Sequence, residues 1–118
     1  MTKKMKMEFL GKERIFTNNS AFENNKNLET MTNKLMELSN SSDAKLEDIY
    51  DTMGEYVATI FEDFDPKEIY DADQTEIYLI RGLNTLKNMY KMGQNKKEIE
   101  KAKTQIINQA IEEELFRI

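Results

Sequence analysis

Glu62, Asp63, Asp65, Asp71 and Asp73 are the residues whose type and crowding could do chemistry, as metal ligands or as paired acids. A calcium loop of the EF-hand kind needs glycine at its sixth position and an acid at its twelfth. Counted from Asp71, those positions hold Glu76 and Gly82. Counted from Asp63, the fifth ligand position is Lys67. No spacing singles out two of the acids for hydrolysis. Acids are favoured at helix N-termini, where they meet unpaired backbone N–H groups and the positive end of the helix dipole. Capping therefore accounts for Asp65, Glu68, Asp73 and Glu76 without an ion. Histidine and cysteine are absent, and with them the commonest general base and all thiolate chemistry. There is no GxGxxG and no GxxxxGK[ST] loop. The expectation is a protein that is not an enzyme and uses no metal and no cofactor.

The elements that hold these acids follow from periodicity. Met5, Met7 and Phe9 alternate with Lys4, Lys6 and Glu8, which is the period of a half-buried strand. Gly11-Lys12 then reads as a two-residue turn and Arg14 to Phe16 as a returning strand. Ser20 with Glu23 forms a capping box, followed by a stripe of Leu28, Met31, Leu35 and Leu38. "SNSSD" ends this helix and caps a second, whose stripe is Leu46, Ile49, Met53, Val57, Ile60 and Phe64. Gly54 inside it disfavours helix by about 1 kcal/mol relative to alanine and so points to close packing.

Asp65-Pro66-Lys67-Glu68 is a stop and restart, and Asp73 with Glu76 is a further capping box. Leu79, Leu83, Leu86 and Tyr90 share the next face, Gly93 ends it, and Asn95 with Glu98 caps a last long helix. The fold class expected is mainly α, a small helical domain with a short N-terminal β-hairpin and a long C-terminal helix. Its organisation is a single domain over 1–118, with a hairpin segment (1–18), a helical core (20–93) and a C-terminal helix (95–118).

A net charge of −5 disfavours nucleic acid, whose phosphates repel an acidic surface. Lys3, Lys4 and Lys6 form only a small basic cluster. No stretch approaches the ~20 apolar residues that span a bilayer, and no signal-like segment follows the first lysines. The expected location is cytoplasmic, without membrane or nucleic-acid partners.

The apolar residues exceed what one stripe per helix requires. In the last helix Ile99, Ala102, Ile106 and Ala110 make one stripe. Ile107, Ile111, Leu115 and Ile118 make a second, roughly a quarter-turn away. The second is the candidate for self-association into homo-oligomers. Phe61, Phe64, Tyr70, Ile77 and Ile80 cluster around the Pro66 junction and are the candidate partner-binding groove. Both sets admit the plainer reading of core. Eight methionines suit a surface that accepts varied apolar partners.

The order of parts resembles the tail assembly chaperones of long-tailed bacteriophages (siphophages) of Gram-positive hosts. Gly11-Lys12-Glu13 and Phe16 match the family's Lys-rich strand pair, and Val57, Phe61, Phe64, Ile69 and Tyr70 match its helix end and acidic junction. The resemblance runs over roughly residues 3 to 90 and is carried by spacing and turns. The chain departs from the family in lacking a glycine near "DAD" and in its longer, more apolar last helix. The resemblance implies a non-enzymatic late protein of the host cytoplasm, absent from the mature virion. It would hold the tape measure protein soluble and help tail tube subunits polymerise around it. The competing reading is an acidic phage-encoded inhibitor or DNA mimic that binds a host DNA-handling protein.

Overall fold

A computed structural model describes residues 5–113. It is mainly helical, with a two-stranded N-terminal hairpin, five α-helices among the described residues and a long last helix. Backbone contacts divide the chain into two compact units. One joins the N-terminal segment through Phe16 to the chain from Ala72 onward, and the other is the continuous stretch Thr17–Asp71.

In the first unit, strand β1 (Lys6–Phe9) pairs antiparallel with β2 (Lys12–Ile15), Lys6 opposite Ile15 and Phe9 opposite Lys12. Met7 and Phe9 are buried while Lys6 and Glu8 face solvent, as the alternation requires. The turn differs from the expected Gly11-Lys12. Leu10 and Gly11 both take positive φ, 53° and 74°, so they are the two central residues and β2 begins at Lys12. Left-handed backbone at leucine costs roughly 1–2 kcal/mol. The Leu10 N–H donates to Glu76 Oε2 at 2.9 Å, a bond that helps fix this turn.

Glu76 belongs to the first turn of helix α3 (Gln74–Leu79). Its other oxygen, Oε1, accepts the Asp73 N–H at 3.0 Å, while Asp73 Oδ1 accepts the Glu76 N–H at 2.8 Å. One carboxylate thus completes a capping box and clasps the hairpin. Glu76→Gln would set an amide NH2 against one of two backbone N–H groups. Its expected effect is a loss of about 1–3 kcal/mol, with faster hydrogen exchange at the Leu10 and Asp73 amides. Unchanged exchange at both would show that the clasp contributes nothing.

The spacing predicts one helix from Asp73 to Gly93, but a 3-10 turn over Ile80–Gly82 divides it into α3 and α4 (Leu83–Lys91). At the break a β-carbon on Gly82 would lie 2.6 Å from Ile106 Cδ1, so helix α5 (Lys96–Glu113) approaches the chain there. Helix α4 ends at Gly93 (φ 76°), where the Gln94 N–H donates to Met89 O at 3.1 Å. Asn95 Oδ1 caps α5 by accepting the Glu98 N–H at 2.9 Å. Met7, Phe9, Ile77, Leu79, Leu83, Leu86 and Ile99 are buried, and Phe16 packs on Tyr90 with ring centroids 5.6 Å apart.

In the second unit, Ser20 Oγ caps helix α1 (Ala21–Ser39) by accepting the Glu23 N–H at 3.2 Å. Glu23 takes the Ser20 hydroxyl, at 3.3 Å, rather than the expected Ser20 amide. Helix α2 (Leu46–Ile60) starts beyond the expected "SNSSD" cap, with Asp48 Oδ2 accepting the Lys45 N–H at 2.9 Å. Of its stripe, Met53, Val57 and Ile60 are buried, Ile49 is half-buried and Leu46 is exposed. The carbonyls that end α2 have no partner within the helix. Thr17 Oγ1 donates to Thr59 O at 2.7 Å, Asn19 Nδ2 to the same oxygen at 3.0 Å, and the Thr17 N–H to Ile60 O at 2.8 Å.

After Asp65 the chain restarts as a 3-10 turn over Pro66–Asp71. Asp65 Oδ1 accepts the Lys67 N–H and Glu68 Oε2 accepts the Asp65 N–H, each at 3.0 Å. This turn lies on Gly54, where Pro66 and Ile69 leave no room for a β-carbon.

Candidate partner-binding site

Four of the acids act as caps. Asp65, Glu68, Asp73 and Glu76 all accept backbone N–H groups at the starts of helical turns. Among the described residues no group of three or more Asp or Glu is placed to hold a metal ion.

The groove expected from Phe61, Phe64, Tyr70, Ile77 and Ile80 is not an open surface. Phe61, Ile77 and Ile80 are 0 % exposed and Phe64 is 6 % exposed, so these four pack as core. Phe61 and Phe64 belong to the second unit, Ile77 and Ile80 to the first. The physical reason is that apolar periodicity marks which residues share a face but not whether another element covers it.

Tyr70 alone of the five stands out, at 45 % exposed. Its ring stacks on Tyr50 at 5.8 Å and 18°, and its hydroxyl donates to Asp51. That hydrogen bond, then burial, then the charges of Asp51, Glu47 and Asp48 push its phenol from 10.0 up to about 12. A raised acid pKa means that the unfolded chain ionises first. The stability that this contact contributes is present below pH 10.0 and is lost as the pH rises through about 12. Tyr70→Phe should therefore flatten the decline in melting temperature over that window relative to the parent. Parallel curves would show that the pair has no linkage to folding.

On α5, Ile107 is half-buried and Ile111 is 50 % exposed. Leu115 and Ile118, the rest of the expected self-association stripe, lie outside the described residues, as do Lys3 and Lys4. Ile99 and Ala110 of the first stripe are buried, and Ala102 and Ile106 are half-buried. An aspartate at position 111 should thus leave helicity and melting temperature near those of the parent. The same change should lower the mass seen by light scattering if this face joins copies. Unfolding of Ile111→Asp would show that the face is core.

Large apolar side chains stand on the surface elsewhere. Phe22 and Met36 on α1 and Leu46 at the start of α2 are exposed, as is Met92 after α4. Phe22 lies nine residues from Met31, about half a turn around the helix, so its outward position was available from the sequence.

Between α1 and α2 runs a groove of about 400 Å³, walled by Asn27, Thr30, Met31 and Lys34 on α1 and by Thr52, Glu55, Tyr56 and Thr59 on α2. Met31 and Tyr56 are buried at its base, and Lys34 and Glu55 are exposed on opposite walls. The threonine hydroxyls donate within their own helices, to Lys26 O, Asp48 O and Tyr56 O. The Tyr56 hydroxyl is buried without a hydrogen-bond partner, and burial raises its pKa, so it stays a neutral phenol. Asn24 Oδ1, also buried in this unit, likewise has no partner. Of the groove residues only Met31 belongs to an expected apolar stripe; the threonines, Asn27, Lys34 and Glu55 carry no hydrophobic signal.

The first unit has a larger cavity, about 550 Å³, but it is lined mainly by lysines and glutamates. Lys6 pairs with Glu13 at 3.3 Å and Lys103 with Glu100 at 3.2 Å, so much of its charge is already neutralised within the wall.

Among the described residues no helix is long and apolar enough to cross a membrane. No protein-family model, no curated protein and no solved structure matches the chain.

Proposed function

We propose that this protein is a non-enzymatic tail assembly chaperone of a long-tailed phage. In this reading it binds apolar helical segments of the tape measure protein and keeps them soluble in the host cytoplasm. It acts as a homo-oligomer, with the tail tube protein as a second candidate partner, and is left out of the mature virion. The class comes from the resemblance carried by Gly11-Lys12-Glu13, Phe16 and the Val57–Tyr70 stretch. The observation that supports it physically is the exposure of Phe22, Met36 and Leu46 on an otherwise acidic chain. A long helical client with bare apolar repeats aggregates while unassembled. A carrier for it needs apolar side chains within reach and a net charge that keeps the pair in solution. The contact surface is accordingly moved from Phe61, Phe64, Ile77 and Ile80 to these exposed residues.

Co-expression with the tape measure protein of the same phage tests the reading. The soluble fraction of that protein should rise in the presence of the chain and fall again with Phe22→Asp and Met36→Asp combined. Equal solubility with and without the chain would sink the proposal. Salt-sensitive binding to a DNA-handling enzyme would favour the inhibitor or mimic instead.

A further inference from the structure

The N-terminal hairpin carries two features that oppose it. Its turn sets Leu10 at φ 53°, in the left-handed region that a leucine side chain disfavours. Two-residue turns with positive φ at both positions ordinarily hold asparagine or aspartate before the glycine. Its register places Glu8 directly opposite Glu13 on the solvent face, where like charges repel. Lys6 reaches Glu13 at 3.3 Å, but a pair between exposed side chains adds little.

Backbone strain persists only where the surroundings impose it. Here the tip is tied by the Leu10 N–H to Glu76 at 2.9 Å. On the inner face Met7 and Phe9 are buried, and Phe16 leans on Tyr90. The buried Arg14 Nε–H donates back to Phe9 O at 2.9 Å, which closes the hairpin on itself. The helices of this unit have a framework of their own, because α5 packs along α3 and α4 and Ile106 meets Gly82.

We infer that the hairpin is a releasable strap, which leaves and melts as one piece while α3, α4 and α5 stay folded. A detached two-stranded hairpin is marginal, so the strap keeps no structure once it lifts. Met7, Tyr90 and Ile99 line one cavity, so lifting the strap bares Tyr90 and Ile99, the latter 2 % exposed while the strap is down. The chain thus holds an apolar floor in reserve, and the balance between the Leu10 strain and the Glu76 bond sets how often it is uncovered. Local openings of this kind precede global unfolding in many folds. The inference goes beyond the chaperone reading and does not depend on it.

Native-state hydrogen exchange of the full chain in low urea tests it. The strand amides of residues 6–9 and 12–15 should exchange through an opening with a shallow urea dependence. Those of Leu86 and Lys87 should need one with a steep dependence, because more surface is exposed. Leu10→Asn relaxes the turn and should slow the strand amides about fivefold. Lys101→Gly weakens α5 at an exposed position. It should speed the α4 amides about threefold and leave the strand amides alone, because α5 is folded with the strap down or up. The chain has no cysteine, so Ile99→Cys supplies a single thiol. Its labelling by an aromatic disulfide should slow with Leu10→Asn and ignore Lys101→Gly. If Ile99→Cys does not fold, the amide readings decide alone. One urea slope shared by strands and α4, or strand exchange that quickens with Lys101→Gly, would overturn the inference. So would strand exchange unmoved by Leu10→Asn, or a thiol that labels in step with α4.

Discussion

Phe61→Ala is expected to destabilise the protein by about 3–5 kcal/mol, the range for removing a fully buried phenylalanine. Phe61 is 0 % exposed, and its backbone is held at the end of α2 by its N–H donating to Val57 O at 3.1 Å. Swinging the ring out to serve a partner would expose apolar area that is now fully enclosed. Removing it forfeits both the transfer free energy of the ring and the contacts of its neighbours, since the surroundings relax only partly. Urea unfolding should show a lower midpoint at an unchanged slope. A loss below about 1 kcal/mol would mean that the ring lies on an open face, as the apolar spacing around Pro66 first suggests.

Gly54→Ala should also destabilise the protein, although alanine is the better helix former. The exchange gains about 1 kcal/mol of intrinsic propensity. Against that, the new β-carbon would overlap the Pro66 carbonyl oxygen and lie 2.9 Å from its carbon and 3.1 Å from Ile69 Cγ2. The neighbour is backbone, which cannot rotate aside, so the 3-10 turn itself has to shift. Overpacking costs about 1–3 kcal/mol, and a clash with backbone falls at the upper end, leaving a net loss of roughly 2 kcal/mol. Thermal melting read beside far-ultraviolet circular dichroism checks it. A variant that melts at or above the parent would show that the turn yields freely and that the glycine is not there for packing.

The contrast between local and long-range features explains what could be read in the residues. Ser20, Asp65 with Glu68, Asp73 with Glu76, Asn95 and Gly93 all act within four residues of themselves, and each was legible. The Leu10–Gly11 turn was not, because leucine at positive φ opposes its own steric preference and is held there from residue 76. The break at Ile80–Gly82 was hidden for a related reason, since Ile106 is the residue that meets Gly82. Burial failed in a different way. Ile60 and Ile111 sit in equally regular apolar stripes, yet one is enclosed and the other is half open. Nothing in a 3.6-residue period distinguishes them. The α1–α2 groove was invisible because threonine, asparagine and lysine at helical spacing look like any solvated face.

The shared Glu76 carboxylate also has a meaning in time. The second unit, Thr17–Asp71, is continuous in the chain and has all its residues once position 71 has left the ribosome. The hairpin is made before this unit, yet the acceptor for its Leu10 N–H arrives 66 residues later. A lone two-stranded hairpin is marginal in water. Its strands must therefore wait, unclasped, through the synthesis of an entire helical unit before their anchor exists. The helices that follow residue 71, not the strands that precede residue 17, decide when the first unit closes.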